Sequence, residues 1–246
     1  MTASAPAISV VVPAFNEERR LPDSLGKLAA HFAAASPESG WELIVVDDGS
    51  ADGTSRVARE TSERLALPLK LLRHDTNRGK GAAVRTGALA AAGDRILVTD
   101  ADLSTPIGEL EKLEKALDAG ASISIGSRAL DPSLVRESQP LYRVVMGKLF
   151  NVCVRLLCVS GIRDTQCGFK LFTWTASRDV FSRAKVDRFA WDVEVLLLAR
   201  RLGHRIDEIP VLWFHVEESR VSLAAGAQAY MELLRIRRAV DRAMRL

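Results

Sequence analysis

Short apolar runs that stop at turn-forming residues recur along the first half of the chain, separated by longer stretches of mixed polarity. Ile8 to Val12 is stopped by Pro13, and Leu43 to Asp47 runs into Asp48-Gly49-Ser50-Ala51-Asp52-Gly53. Leu69 to Arg73, Ile96 to Thr99 and Ser122 to Gly126 repeat the pattern. Unbroken apolar runs of this length read as strands buried on both faces. The intervening stretches read as helices from near Asp23 to Ala34, from Asp52 as N-cap to about Ala66, from Gly81 to Ala92 and from Pro106 to Ala119. Strands alternating with helices predict an α/β fold with a mostly parallel, nucleotide-binding type of sheet and helices on both faces.

The polar residues that end these runs carry the candidate chemistry. Ile96-Leu97-Val98-Thr99 leads into Asp100-Ala101-Asp102, two carboxylates one residue apart at the C-terminal edge of a strand. Open α/β sheets bind ligands at that edge, and at period two both carboxylates would point the same way. Mg²⁺ or Mn²⁺ is commonly held by one or two carboxylates together with a substrate's phosphate oxygens. The plainer alternative is a solvated strand end whose Asp102 opens a loop. Asn16, Glu17, Asp47 and Asp48 follow the first two strands, and Arg78-Gly79-Lys80 follows the third. Carboxylates accept from ribose and base donors, whereas Arg78, Lys80 and the amides around Gly79 can neutralise phosphates. The glycine fingerprints of dinucleotide folds and P-loops do not follow the first strand, which argues against hydride transfer and P-loop chemistry.

Composition narrows the setting. The chain has 246 residues, 48% of them hydrophobic and 26% charged, with a net charge of +3. That suits one globular domain over residues 1–246 and is too weakly basic to indicate a nucleic-acid partner. Three cysteines without zinc-type spacing indicate neither a disulfide framework nor a structural metal, and a reduced, cytoplasmic setting is expected. The N-terminus does not read as a signal peptide, and the most apolar window, Val144 to Ile162, is broken by Lys148 and Arg155.

Pro13-Ala14-Phe15-Asn16-Glu17, Asp47-Asp48-Gly49-Ser50, Asn77-Arg78-Gly79-Lys80-Gly81 and Asp100-Ala101-Asp102 occur in this order. With them the chain resembles family 2 glycosyltransferases of the GT-A fold. Gly161-Ile162-Arg163-Asp164-Thr165-Gln166-Cys167-Gly168-Phe169-Lys170-Leu171-Phe172 and Phe189-Ala190-Trp191-Asp192-Val193-Glu194 are similar to the dolichyl-phosphate β-glucosyltransferase branch. The single domain is expected to comprise a nucleotide-sugar half over about 8–128, an acceptor half over about 129–222 and, from its residue pattern, a basic amphipathic helix over about 223–246. The resemblance implies a UDP-sugar donor, UDP-glucose by its branch, a polyprenyl phosphate acceptor and inversion at the anomeric carbon. By motif, Pro13, Ala14, Asn16, Glu17, Asp48, Arg78, Gly79, Lys80 and Ala101 would line the donor pocket, with Asp48 as the base contact. Asp100 and Asp102 would hold the metal, Arg128 would face the phosphates, and Arg128, Arg143 and Arg220 would receive the acceptor phosphate. Glu218-Ser219-Arg220 stands where the branch usually shows Gly-Ser-Lys, and arginine is not a neutral replacement for lysine.

A phosphate acceptor is already ionised near neutral pH and needs cations rather than a base. A hydroxyl acceptor needs a base, for which Asp192 or Glu194 is the candidate, although acidic residues in a first helical turn also serve the helix dipole. A family 2 enzyme with a soluble hydroxyl acceptor, and a non-catalytic nucleotide-sugar-binding protein, are the rival readings. At the C-terminus Leu233, Ile236, Val240 and Met244 share one helical side and Arg235, Arg238, Arg242 and Arg245 the other. Such a helix either lies in the interface of an anionic bilayer, giving peripheral attachment at the cytoplasmic membrane face, or docks on the domain or a second copy of the chain, a possible homo-oligomer. The four histidines, and Trp174, Trp191, Trp213 and Tyr230, read as structural by default.

Overall fold

The computed structural model describes residues 5–35, 40–136, 154, 158–188, 190–214, 233–242 and 244. Strands β1 (Ile8–Ala14), β2 (Trp41–Asp47), β3 (Leu69–Arg73), β4 (Arg95–Val98) and β5 (Ile123–Ser127) alternate with helices α1 (Leu21–Ala35), α2 (Thr54–Leu65), α3 (Lys80–Ala90) and α4 (Leu110–Asp118). A 3₁₀ turn, Ile107–Glu109, leads into α4. The short strand β6 (Val135–Arg136) follows, then β7 (Lys170–Thr173), α5 (Trp174–Phe181), α6 (Trp191–Arg201), β8 (Ile206–Pro210) and β9 (Trp213–Phe214).

The main sheet has the order β3-β2-β1-β4-β7-β5-β8, and β6 pairs with β9 in a separate ribbon. All pairings in the main sheet are parallel except those of β7, which runs antiparallel to both β4 and β5. Strand residues alternate between two cores, as the period of a strand requires. Val10, Val12, Leu43, Val45 and Leu97 face a core closed by α1, α2 and α4. Val11, Ile44, Val46, Ile96 and Val98 face one closed by α3, α5 and α6. The sheet is therefore covered on both faces, as its continuous apolar strands predict.

Three expectations need correction. Asp52 is not the N-cap of α2: Gly53 holds that position, and Asp52 lies one residue earlier, accepting from the Thr54 N–H at 3.0 Å. His204, which the sequence places in a helical segment, lies just past α6, 3.1 Å from the Asp179 carboxylate. The apolar side of the C-terminal segment is not free to enter a bilayer. Residues 233–242 are helical, and Leu233, Ile236 and Val240 are buried against the domain with Met244 packed beside them. Arg235, Arg238 and Arg242 remain exposed, and Arg201 holds Asp241 at 2.8 Å. No helix among the described residues is long and apolar enough to cross a membrane. Leu141 to Val159, rich in Leu, Val, Phe and Cys, reads in sequence as a helix and lies almost entirely outside the described residues.

Candidate active site

The C-terminal ends of β1, β2 and β4 meet at one edge of the sheet, and each delivers one of the sequence motifs. After β1, Asn16 adopts a left-handed backbone with φ 55°. This is a conformation that asparagine tolerates better than most residues. Its amide donates to Ser50 Oγ at 2.9 Å, and its Oδ1 accepts from the Ala51 N–H at 2.9 Å. Glu17 is ion-paired with Arg20 at 2.7 Å. Pro13 and Ala14 belong to β1, and the Ala14 carbonyl accepts from the Asp48 N–H at 2.8 Å. The 14–17 and 47–54 turns are thus sewn together before any ligand arrives.

Asp48 is buried, and its carboxylate turns inward. Oδ1 accepts from the Arg78 N–H at 3.0 Å, Oδ2 accepts from the Gly79 N–H at 2.7 Å, and His74 Nδ1 lies 2.6 Å from Oδ1. The expected base contact therefore has most of its hydrogen-bonding capacity committed to the 74–79 turn. Gly79 is needed there: it has φ 113°, and a Cβ would lie 2.5 Å from the Asp187 carbonyl oxygen. Arg78 is exposed.

β4 ends at Val98, so Asp100 and Asp102 do not lie on a strand and period-two geometry does not orient them. They occupy a turn in which Leu103 has φ 47° and its N–H donates to the Asp100 carbonyl at 3.1 Å. Left-handed backbone at a branched residue is unfavourable, and here it follows directly on Asp102. Lys80 Nζ is ion-paired with Asp100 Oδ1, and Asp102 Oδ1 accepts from the Ser104 N–H at 2.9 Å. Burial opposes the charge on Asp100, but the Lys80 ammonium, with Lys170 and Arg128 adding to it, holds the carboxyl below its ordinary range. Lys80, whose side chain still reaches solvent, is moved up in turn: its partial desolvation is outweighed by Asp100, Asp192 and Asp102.

Among the described residues, the Oδ2 atoms of Asp100 and Asp102 receive no hydrogen bond, and no cluster of three or more histidine, cysteine or acidic ligands occurs. Two carboxylates with free oxygens suit a hard cation that completes its shell with phosphate and water, and do not suit a closed zinc site. The donor set therefore fits Mg²⁺ or Mn²⁺ at Asp100 and Asp102.

Asp100 rests on Gly168, the residue two before β7. A Cβ at Gly168 would lie 2.2 Å from Asp100 Oδ2 and 2.6 Å from Cγ. Gly168→Ala is therefore expected to leave the fold intact, displace the Asp100 carboxylate and lower any affinity for Mn²⁺ at this site by about tenfold. Calorimetric titration of the variant checks this.

Below that floor, Lys170 is wholly buried, with its ammonium ion-paired to Asp192 Oδ1, 2.5 Å from the Cys167 carbonyl and 5.2 Å from the centre of the Trp191 ring. Burial pushes the Asp192 carboxyl up, with Lys170 and Lys80 opposing the shift. Glu194 is also buried and accepts from the backbone N–H groups of Lys185 and Val186 at 2.8 and 2.7 Å. Glu194 thus fastens the segment ahead of α6.

Arg128 follows β5 and is gripped by Asp164. Its Nε donates to Oδ2 at 2.7 Å, its Nη2 to Oδ1 at 2.8 Å, and its backbone N–H to Oδ2 at 3.0 Å. The guanidinium also stands over Trp213, 5.4 Å from the ring centre. Glu208 accepts the Asp164 N–H at 2.7 Å, so the clamp reaches down to β8. In sequence Asp164 reads either as a salt-bridged loop residue or as a chemical one, and the structure shows the salt bridge, to Arg128; Trp213 carries no sequence signal for its place over Arg128. Arg143 and Arg220 lie outside the described residues.

The clamp predicts an acid limb in stability. Burial would raise the Asp164 carboxyl, but Arg128 outweighs it and holds it below its ordinary range. The native state therefore binds this proton less readily than the unfolded chain. The contribution is complete above about pH 4 and is lost as pH falls through the depressed native value. Urea midpoints measured from about pH 6 down to pH 2 are expected to fall less steeply in Asp164→Asn than in the wild type.

Comparison with known proteins agrees with this geometry. The profile of Glycosyl transferase family 2 matches residues 9–180. The dolichyl-phosphate beta-glucosyltransferase of Drosophila melanogaster is 41% identical over 225 residues, spanning 87% of this chain and 69% of that protein. The protein of the same name from Homo sapiens is 40% identical, again over 87% and 69%. Among solved structures, glucosyl-3-phosphoglycerate synthase from Mycobacterium tuberculosis, crystallised with Mn²⁺, uridine diphosphate and glucosyl-3-phosphoglycerate, superposes with a TM-score of 0.69 at 18% identity. That superposition covers 94% of this chain and 80% of that one. Mannosyl-3-phosphoglycerate synthase from Rubrobacter xylanophilus gives 0.67 at 17%, covering 98% and 74%. With its parallel sheet interrupted by one antiparallel strand and these likenesses along most of its length, the chain belongs to the family 2 glycosyltransferases and has the GT-A fold.

Proposed function

We propose that the chain transfers glucose from UDP-glucose to a polyprenyl phosphate, with inversion and with Mg²⁺ or Mn²⁺, at the cytoplasmic face of a membrane it approaches peripherally. The glucose and the lipid phosphate are supported by relatives named dolichyl-phosphate beta-glucosyltransferase, and the donor and metal by a neighbour crystallised with Mn²⁺ and uridine diphosphate. The observation that carries the reading is the charge arrangement around Asp100. Two carboxylates with oxygens to spare stand with Lys80 and Arg128, while Asp192, the base a hydroxyl acceptor would need, is committed to a buried lysine. Taking a proton onto Asp192 would leave the Lys170 ammonium buried without its counter-charge, which is costly. A phosphate acceptor asks for no such proton transfer.

Asp100 and Asp102 would hold the cation, which when bound would supply Lewis-acid stabilisation of the negative charge on a leaving diphosphate. Lys80 supports the same developing charge from the start of α3, and Pro13, Ala14, Asn16, Glu17, Asp48, Arg78, Gly79 and Ala101 form the donor pocket around it. The clamped Arg128 presents the unbonded edge of its guanidinium to acceptor phosphate, helped by Arg143 and Arg220. Exposed Arg235, Arg238 and Arg242 supply charge for an anionic membrane surface, so attachment by this helix is electrostatic and weakens with salt.

The test is transfer of labelled sugar from UDP-glucose into an organic-extractable product on addition of polyprenyl phosphate and Mg²⁺ or Mn²⁺. Metal-dependent label in the lipid phase is the expected result. Label appearing only on water-soluble acceptors would overturn the lipid-phosphate assignment.

A further inference from the structure

We infer that His74 is a positioning residue for the donor site, acting through Asp48 on the turn that carries Lys80. The inference rests on the reading of that turn as the place where a nucleotide diphosphate binds. His74 follows β3 and is buried, so it does not itself reach a ligand. Its backbone N–H donates to the Asp47 carbonyl at 2.9 Å, and its ring spans two elements. Nδ1 lies 2.6 Å from Asp48 Oδ1, and Nε2 lies 3.0 Å from Thr86 Oγ1 on α3. A carboxylate can only accept, so Nδ1 carries a proton; in the neutral ring Nε2 then accepts from the Thr86 hydroxyl. Both ring nitrogens are occupied, and the plane of the ring is set.

Asp48 spends its remaining acceptors on the Arg78 and Gly79 amides. α3 has Gly79 as its N-cap, and glycine offers no capping side chain. Asp48 supplies, from the turn after β2, the negative charge that a helix N-terminus favours. From the opposite side the turn lies directly on Gly49, where a Cβ would come within 2.5 Å of the Thr76 carbonyl carbon. Lys80, the first residue of α3, then reaches Asp100. The sequence of contacts Thr86, His74, Asp48, Arg78–Gly79, Lys80 therefore fixes how far the Lys80 ammonium projects toward the phosphates. Removing the Nδ1 donor frees the carboxylate to rotate and slackens the turn without touching the acceptor side.

Two substitutions separate the ring's two bonds in the full-length chain. His74→Asn keeps a donor where Nδ1 stands and gives up Thr86; His74→Gln keeps a group near Thr86 and gives up Asp48. Binding of Mn²⁺-UDP by calorimetry, with donor and acceptor KM from steady-state transfer, reads the difference. His74→Gln is expected to weaken UDP binding and raise donor KM by about tenfold with acceptor KM unchanged, and His74→Asn to stay within about threefold of wild type. Equal effects of the two, or none from His74→Gln, overturn the inference while leaving the donor site standing. Failure of the wild type to bind Mn²⁺-UDP overturns the donor-site reading and this inference with it. Amide exchange in the unliganded wild type is a second measurement that depends on no variant: Arg78 and Gly79 amides are expected to be protected, and rapid exchange at both overturns the inference.

Discussion

Asp102→Ala is expected to reduce glucosyl transfer by about 10³-fold, the equivalent of roughly 4 kcal/mol of transition-state stabilisation, while the protein stays folded. The two effects separate because of where Asp102 sits. It is only partly buried, and among the described residues its carboxylate accepts one hydrogen bond, from the Ser104 N–H. Losing that bond costs about 1 kcal/mol. Losing the carboxylate takes away one of two groups available to a divalent cation, and the other, Asp100, is already shared with Lys80. Transfer assays across a Mn²⁺ titration, with a thermal melt of the same preparation, make the comparison. Retention of more than a tenth of wild-type activity at saturating Mn²⁺ would remove Asp102 from the site.

Lys170→Met is expected to act in the opposite way, on the fold first. It leaves the Asp192 carboxylate in a place shaped for an ion pair, with Trp191 on one side and a side-chain exposure of 8%. Breaking a buried pair from one side costs about 3–5 kcal/mol. At about 2–4 °C per kcal/mol for a chain of this size, the midpoint of melting drops by roughly 6–20 °C. Replacing both partners, as Lys170→Met with Asp192→Leu, is expected to recover much of that loss, since the cost lies in the orphaned charge rather than in the missing pair. A double variant no more stable than the single one would show that the pair itself, not its uncompensated half, holds β7 to α6.

The contrast between these two aspartates marks how far the sequence can be read. β1 to β5 were legible because each is an apolar run closed by a turn former, and the motifs at their ends lie where open α/β sheets place their chemistry. β7 was not legible, although it stands in the interior of the sheet. It has four residues, and it opens with Lys170, a residue that polarity assigns to solvent. Only the tertiary partner Asp192, 22 positions later, makes burial of that lysine tolerable, and no local pattern encodes such a partner. Asp100 and Asp102 stand out in sequence as candidate metal ligands, but their orientation does not, because β4 stops at Val98 and the turn at Leu103 sets their direction. His74 reads in sequence only as a structural histidine, and its role is hidden for the same reason: its two hydrogen-bond partners lie 26 positions before it and 12 after it.

The antiparallel insertion of β7 has a consequence for how the polypeptide is made. β5 meets the rest of the main sheet only through β7 on one side and β8 on the other, and β4 has no neighbour on its outer side except β7. On the ribosome, the chain from β1 to β4 can assemble its parallel layers early, but the backbone edge of Ile96, Leu97 and Val98 stays unpaired until residues 170–173 have emerged. An open apolar strand edge recruits other strands, so this interval exposes the nascent chain to misassembly and makes it a target for chaperones. A fragment ending just before Lys170 would carry the donor-site motifs, Gly168 beneath Asp100 included, and still lack the strand that closes the sheet.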